Sequence, residues 1–190
     1  CHSCGGCWLV CPEHAIQEVQ RDMGIVELGS SHGVAYCGGA LNVGEAICTP
    51  VLRQVKKKTP PASIVIYDAP PGTSCPVIET IYDADYVILV TEPTPFGLND
   101  LILAVEMTQK LQKPMGVLIN KAGHSFSEVQ AYCQRQAIRI IAEIPDDRAF
   151  AEAYSRGELI AQQFPEYNAR FQQIFTEIVE EIETNKVNTA

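Results

Sequence analysis

The sequence feature that most constrains the fold is a regular alternation of short apolar runs with helical patterns from Ala62 onward. Four runs rich in β-branched residues end in turn-forming residues and are predicted strands: 64–67, 86–90, 115–119 and 138–141. Helical patterns separate them, over residues 76–82, 97–111 and 125–136. Near-continuous apolar strands that alternate with helices are buried on both faces, so we predict an α/β fold with a mostly parallel sheet and helices on both faces.

Other segments carry local signals. The helix over residues 125–136 opens with Ser125, and Glu128 three residues later completes a capping-box pattern. Residues 24–28 are a predicted strand, whereas residues 29–33 and the Cys-Gly-Gly segment that follows are typical of loops. Residues 43–58 are helix-like until prolines 60 and 61 end the pattern. From residue 165 to about 184, apolar residues at helical spacing predict a helix that packs by one stripe.

Composition and charge exclude several classes of protein. With 46% hydrophobic and 19% charged residues, the chain is globular rather than disordered. Its formal net charge of −9 repels phosphate backbones, so a nucleic-acid partner is not expected. No apolar stretch approaches the roughly 18 residues that span a bilayer, and no secretory signal pattern begins the sequence.

The first twelve residues hold a cysteine motif, Cys1-x-x-Cys4-x-x-Cys7-x-x-x-Cys11-Pro. This is the spacing of the bacterial ferredoxin motif for a 4Fe-4S cluster. Three thiolates at this spacing can surround one face of a cubane, and the adjacent glycines let backbone amides approach its sulfides. A zinc site is the alternative, although zinc motifs more often pair two Cys-x-x-Cys units across a longer loop.

The arrangement of the cysteines also predicts the redox compartment of the protein and the presence of cluster ligands outside this sequence. Four of the eight cysteines crowd into eleven residues, which favours metal chemistry in a reducing compartment over disulfides, so we expect a cytoplasmic protein. In two-cluster ferredoxins the fourth cysteine binds the other cluster, so partner ligands are expected outside this sequence. We therefore expect this sequence to be a piece of a longer polypeptide. Cys37 and Cys48 lie outside the motif and are expected to be core or loop thiols, with substitute ligation as the alternative.

Polar residues follow the predicted strands, where parallel sheets bind ligands. Asp68 follows the first strand, and an aspartate in that position can hold a magnesium-bound water. Gly72 exposes a backbone amide that can hydrogen-bond a γ-phosphate. A proline-braced turn is the alternative interpretation of this Asp-Ala-Pro-Pro-Gly segment.

Two later strand ends add weaker signals. Asn120 follows the third strand, and its amide offers both a donor and an acceptor to a purine edge. Asp147 lies beyond the fourth strand and could complete a base pocket. Neither residue is specific by itself. No G-x-x-x-x-G-K-[ST] motif occurs in the 190 residues, so the loop that cradles phosphates is absent from this sequence.

Taken in order, these segments resemble one protein family. Residues 1–12, the Asp-Ala-Pro-Pro-Gly-Thr-Ser-Cys-Pro segment at 68–76, Thr-Glu-Pro-Thr at 91–94, Asn-Lys at 120–121 and Ile-Pro-Asp-Asp at 144–147 are similar to the MinD-superfamily P-loop ATPases that carry an inserted ferredoxin domain. The resemblance implies a deviant P-loop NTPase fold, an ATP-sandwich homodimer, bound Mg²⁺ and ATP, and two 4Fe-4S clusters. It places Asp68 and Gly72 on the switch II segment, and Asn120 and Asp147 on adenine-recognition positions. The second cluster motif then corresponds to Cys1, Cys4, Cys7 and Cys11.

The resemblance implies three segments. Residues 1–28 form part of a ferredoxin-like insert, residues 29–60 connect it, and residues 61–190 form the nucleotide-binding α/β domain without its Walker A loop. In the complete protein, ATP hydrolysis is expected to drive electron transfer or cluster handling with a redox or iron–sulfur partner protein. This chain alone is expected to be inactive. The alternative is a ferredoxin-like electron carrier fused to a non-hydrolysing α/β docking domain.

Overall fold

The protein is described by a computed structural model that covers residues 5–123 and 126–188. The chain divides into two compact units, Cys1–Thr80 and Ile81–Ala190. The sequence-based boundaries at residues 28 and 60 are not tested by this division and stay a prediction.

The first unit contains a short helix, a β-hairpin and a longer helix. Helix α1 spans Gly6–Val10, and the hairpin strands β1 and β2 span Gly24–Ser31 and Val34–Leu41. The two residues between these strands, His32 and Gly33, both have positive φ (50° and 82°), as a type I′ hairpin turn requires. The loop prediction therefore holds for His32 and Gly33 alone. It was wrong for residues 29–31 and for the Cys-Gly-Gly segment at 37–39, which lie in the paired strands β1 and β2.

Helix α2 covers one face of the hairpin. It spans Thr49–Lys58, six residues shorter at its start than predicted, and Pro50 at its first turn explains where it begins. A Cβ at Gly39 of β2 would lie 2.7 Å from the Val51 side chain and 2.9 Å from Val55, so glycine permits this close packing. The Cys37 thiol donates to the Val55 carbonyl at 3.4 Å.

The predicted strand at residues 64–67 is not a strand in the structure. Ile64, Val65 and Ile66 are 52%, 42% and 85% exposed. A run of β-branched residues becomes a strand only where a neighbouring strand supplies hydrogen bonds, and within the described residues no strand pairs with this segment. Helix α3, Cys75–Ile81, follows it.

The second unit is built on a parallel three-stranded sheet in the order β3-β4-β5. Its strands are β3 (Val87–Thr91), β4 (Met115–Ala122) and β5 (Ile140–Pro145). Its helices are α4 (Pro95–Lys110), α5 (Glu128–Arg135), α6 (Arg148–Ser155), α7 (Ile160–Gln163) and α8 (Pro165–Asn188). The predicted α/β class, with a parallel sheet flanked by helices, is confirmed.

The helices cover the two faces of this sheet. On one face, Leu101 and Val105 of α4 and Val129 of α5 pack against Val117 and Ile119 of β4. On the other face, Ile174 and Ile178 of α8 pack against Ala142 of β5. The predicted docking stripe of the last helix is thus partly confirmed, although Phe171 and Phe175 of that stripe remain exposed.

Some local predictions need correction. Helices α6 and α7 were not predicted, because their short patterns lie between stronger signals. The start of α5 is Glu128, with Ser127 at its N-cap and no side-chain hydrogen bond there, while Ser125 lies outside the described residues. Within the described part of the chain, no helix is long and apolar enough to span a bilayer.

Tyr86 provides a pH test of the α8 side of the sheet. Burial, with the nearby Glu181 carboxylate, raises the pKa of Tyr86 from 10.0 to about 12. The folded state therefore holds this proton more tightly than the unfolded state, and the resulting stability is present below pH 10 and lost between pH 10 and about 12. We expect Tyr86→Phe to show a shallower fall of unfolding free energy across this window, measured by urea denaturation at several pH values. Equal slopes for both proteins would contradict the burial of this hydroxyl.

Candidate functional site

The described candidate metal-binding residues, Cys7 and Cys11, lie in α1 and directly after it. Gly5 precedes the helix with a positive φ of 72°, Cys7 is exposed within it, and Cys11 follows it as a half-buried residue. Both thiols are free of disulfides, so their chemistry fits an iron–sulfur or other thiophilic metal site. Cys1 and Cys4 lie outside the described residues, so the four-cysteine set stays a prediction.

The remaining described cysteines do not add to this motif. Cys37 and Cys48 are half-buried, and the Cys37 thiol is engaged with the α2 backbone. Within residues 5–123 and 126–188, no group of three or more metal-binding side chains comes together. The expectation that Cys37 and Cys48 are core or loop thiols stays a prediction.

Asp68 and Gly72 lie in the segment between residues 64–67 and α3, which is neither helix nor strand. Both residues are exposed. Gly72 has φ 92°, a conformation that favours glycine, so its residue type is required by the backbone of this turn. This geometry agrees with a proline-braced turn.

Asn120 and Asp147 belong to the second unit. Asn120 is half-buried inside β4, which extends three residues further than predicted. Asp147 is the N-cap of α6, and its Oδ1 accepts the Ala149 N–H at 2.8 Å. One Asp147 oxygen is therefore committed to capping, which is the local reason for an aspartate at this position.

The carboxyl ends of the three strands form a charged edge. Lys121, at the end of β4, places Nζ 2.6 Å from Glu92 Oε1, just after β3. At the end of β5, the Asp146 N–H donates to the Ala122 carbonyl at 2.9 Å. We call Glu92, Lys121 and Asp146 the carboxyl-edge cluster, and Asn120 adjoins it in the sequence of β4. The sequence motifs at 120–121 and 144–147 include Lys121 and Asp146, but only their neighbours Asn120 and Asp147 were selected as site residues.

Electrostatics hold the Lys121 side chain in this cluster. The Glu92 carboxylate raises the pKa of Lys121, first through the hydrogen bond and then through its charge, and Asp146 adds a smaller effect. Lys121 also has φ 53°, a conformation that side-chain-bearing residues adopt only rarely. Both partners are about half exposed, so the ion pair contributes little to stability.

The loop after β3 is held tightly beside this cluster. The Thr91 hydroxyl donates to the Gly97 carbonyl at 2.9 Å, and the Gly97 N–H donates to Thr94 Oγ1 at 3.0 Å. A Cβ at Gly97 would lie 2.3 Å from the Glu92 carbonyl oxygen, so only glycine fits there. These contacts position Glu92 against the end of β4.

Substitutions of Asp147 can separate its helix-capping role from a role in ligand binding. We expect Asp147→Ala to lower the free energy of unfolding by about 1 kcal/mol, because the α6 N-terminus loses its acceptor. Asp147→Ser is the matched control, since serine restores an N-cap acceptor without a carboxylate. Urea denaturation followed by circular dichroism measures both variants. If serine were as destabilising as alanine, the cap would not explain the aspartate.

Comparisons with known proteins show the fold and leave the family open. No family model matches the chain. Two uncharacterised proteins of Methanocaldococcus jannaschii are each 32% identical, over 122 and 109 residues (63% and 56% of this chain). The chain spans about two fifths of the length of these curated relatives, 42% and 39%.

Among solved structures, the MinD cell division protein of Aquifex aeolicus is similar, with a TM-score of 0.53 and 17% sequence identity. The similarity covers 68% of this chain and 58% of that protein. At this level of identity the similarity concerns the fold alone. The chain has a MinD-like α/β fold.

Proposed function

We propose that this chain is the carboxyl-terminal part of an ATP-dependent iron–sulfur protein. In the complete protein, ATP hydrolysis would drive a conformational change coupled to electron transfer or to handling of iron–sulfur clusters. The nucleotide-binding half of this proposal rests on one observation. The sheet is parallel and MinD-like, and the carboxyl-edge cluster lies at the carboxyl ends of its strands. Ligands of such sheets bind beyond the carboxyl ends of the strands.

In this proposal the residues divide into two groups. Asp68 and Gly72 would respond to magnesium and the γ-phosphate, and Asn120 and Asp147 would contact the adenine. The capping bond to Ala149 occupies Asp147 Oδ1, so any adenine contact falls to the second carboxylate oxygen or to the neighbouring Asp146. Phosphoryl transfer in such proteins depends on positioning and charge neutralisation rather than on a covalent protein nucleophile.

The iron–sulfur part rests on the cysteine spacing and on the free thiols of Cys7 and Cys11. Together with Cys1 and Cys4, these thiolates would hold 4Fe-4S iron, which would supply one-electron chemistry. A redox or iron–sulfur partner protein and a homodimer of the complete protein, in the cytoplasm, belong to the same proposal.

A thiol substitution series tests the cluster. After anaerobic reconstitution of the longer gene product with iron and sulfide, we expect Cys7→Ser and Cys11→Ser to bind less iron and to lose visible absorption. Cys75→Ser is the matched control, because Cys75 is exposed but lies outside the motif. Metal analysis of the untreated protein completes the test: stoichiometric zinc without iron or sulfide would contradict the proposal.

ATP turnover tests the nucleotide part. We expect this chain alone to show no magnesium-dependent ATP hydrolysis above a heat-denatured control, because it lacks a Walker A loop. A longer gene product that contains such a loop is expected to hydrolyse ATP, and Asp68→Asn in that product is expected to lower the rate. Clear ATP hydrolysis by the 190-residue chain would contradict the proposal that hydrolysis requires a Walker A loop outside these residues.

The rival function is a ferredoxin-like electron carrier whose α/β unit only docks partners. The carboxyl-edge cluster favours the ATP-dependent protein, because a docking scaffold needs no polar cluster at the ligand-binding edge of its sheet. Absence of a Gly-x-x-x-x-Gly-Lys-[Ser/Thr] motif from the longer gene product would favour the carrier.

A further inference from the structure

The segment that carries Asp68 and Gly72 has little packing of its own. Residues 60–74 form neither helix nor strand, and every residue among them is exposed except Tyr67, which is half-buried. A segment that buries so little keeps one conformation only where a few specific contacts fasten it, because ordering a backbone costs conformational entropy. We call residues 68–74 the 68–74 loop. The contacts at its two ends therefore determine where Asp68 and Gly72 lie.

Two side chains of α2 supply contacts at both ends of this loop. Lys56 Nζ lies 5.2 Å from the centroid of the Tyr67 ring, a cation–π contact directly before the loop. The same Nζ donates to the Glu79 carbonyl at 2.7 Å, on the far side of the loop in α3. Arg53 donates to both carboxylate oxygens of Glu79, at 3.1 and 3.0 Å. Such two-bond pairing fixes the relative orientation of the two groups.

The opposite side of α2 packs on the hairpin. At about 3.6 residues per turn, Val51 and Val55 project from one side of the helix, and Arg53 and Lys56 project from the other. The two valines lie against Gly39 of β2, where a Cβ would be 2.7 Å from Val51 and 2.9 Å from Val55. There is no space for the hairpin to move toward these valines unless α2 also moves. Helix α2 therefore lies between the hairpin and the two ends of the 68–74 loop.

We propose that α2 couples the position of the hairpin to that of the 68–74 loop, with Arg53 and Lys56 as positioning residues. The part of this inference that concerns magnesium and the γ-phosphate rests on the proposed function. Coupling of this kind needs a continuous set of packed and hydrogen-bonded groups between two elements. Here that set runs from Gly39 through the two valines to Arg53 and Lys56.

Release of the loop can be measured in the 190-residue chain without a nucleotide. Chymotrypsin cleaves the Tyr67–Asp68 bond only when the Tyr67 ring leaves Lys56, and mass spectrometry follows that bond. Lys56→Met keeps the aliphatic stem but removes the charge and the donor. We expect cleavage there to become about tenfold faster, because a charged hydrogen bond and a cation–π contact are lost.

Matched variants of the same helix control for charge and for folding. Lys57→Met removes a neighbouring exposed lysine and is expected to leave cleavage after Tyr67 unchanged. Lys56→Arg is expected to restore slow cleavage, because a guanidinium also donates hydrogen bonds and stacks on aromatic rings.

Substitutions in the hairpin test the coupling itself. Gly39→Ala forces α2 away from β2, whereas Gly29→Ala is the matched control, since a Cβ there would lie on the opposite face, 3.9 Å from the Tyr36 ring. We expect Gly39→Ala to speed cleavage after Tyr67 at least about threefold, and to add little when combined with Lys56→Met. Cleavage after Tyr36, inside β2, reports unfolding of the hairpin and is expected to stay constant in Gly39→Ala.

Kinetics of the longer gene product connect this coupling to the proposed function. We expect Lys56→Met to lower kcat for ATP at least about fivefold while KM stays within about twofold, because the contacts that bind the nucleotide remain and only the 68–74 loop is misplaced. Lys57→Met is expected to match the wild-type protein, and Lys56→Arg to recover its kcat.

Each outcome bears on one of the two proposals. Unchanged cleavage after Tyr67 in Lys56→Met, or fully additive effects of Gly39→Ala and Lys56→Met, would overturn the coupling. Equal increases after Tyr36 and Tyr67 in Gly39→Ala would also overturn it, because the hairpin would then support folding rather than position the loop. An unchanged kcat in Lys56→Met would overturn the positioning role alone. The expected cleavage pattern together with a longer product that hydrolyses no ATP would support the coupling and contradict the proposed function.

Discussion

The second unit depends on the central position of β4. This strand pairs with β3 on one side and β5 on the other, and Val117 and Ile119 are completely buried beneath α4 and α5. Burial of apolar side chains on one strand thus holds two helices and two neighbouring strands in place. Gly116 marks how closely the other face is packed, since a Cβ there would lie 2.6 Å from both Ile141 and the Tyr86 hydroxyl.

The same packing brings the carboxyl-edge cluster together. Because the three strands are parallel, their carboxyl ends bring Glu92, Lys121 and Asp146 to one edge although they are distant in sequence. The close approach of Gly97 to the Glu92 carbonyl positions Glu92, and the positive φ of Lys121 lies where the pairing of β4 with β5 is irregular, between Ile119 and Ala122.

The sequence predicted what depends on local patterning. The three strands of the second unit and its long helices follow from apolar periodicity and turn residues, and the fold class follows from their order. The features that the sequence did not predict depend on pairing between distant segments. Residues 64–67 have the pattern of a strand but no partner among the described residues, whereas residues 29–33 look like a loop but join two paired strands through His32 and Gly33. Asp147 was selected for ligand chemistry, and only the structure shows its bond to Ala149.

The two units differ in how much apolar surface they bury. In the described part of the first unit, Val77 and Thr80 are the only buried residues, and large side chains such as Trp8, Leu28 and Tyr36 are exposed. A two-stranded hairpin covered on one face is marginal in water, and small units with little core usually require a metal, disulfides or a partner. Metal binding contributes directly to folding free energy in such units. A cluster bound by the amino-terminal thiolates would therefore do more than carry electrons, because it would cross-link the part of the chain that lacks a buried core.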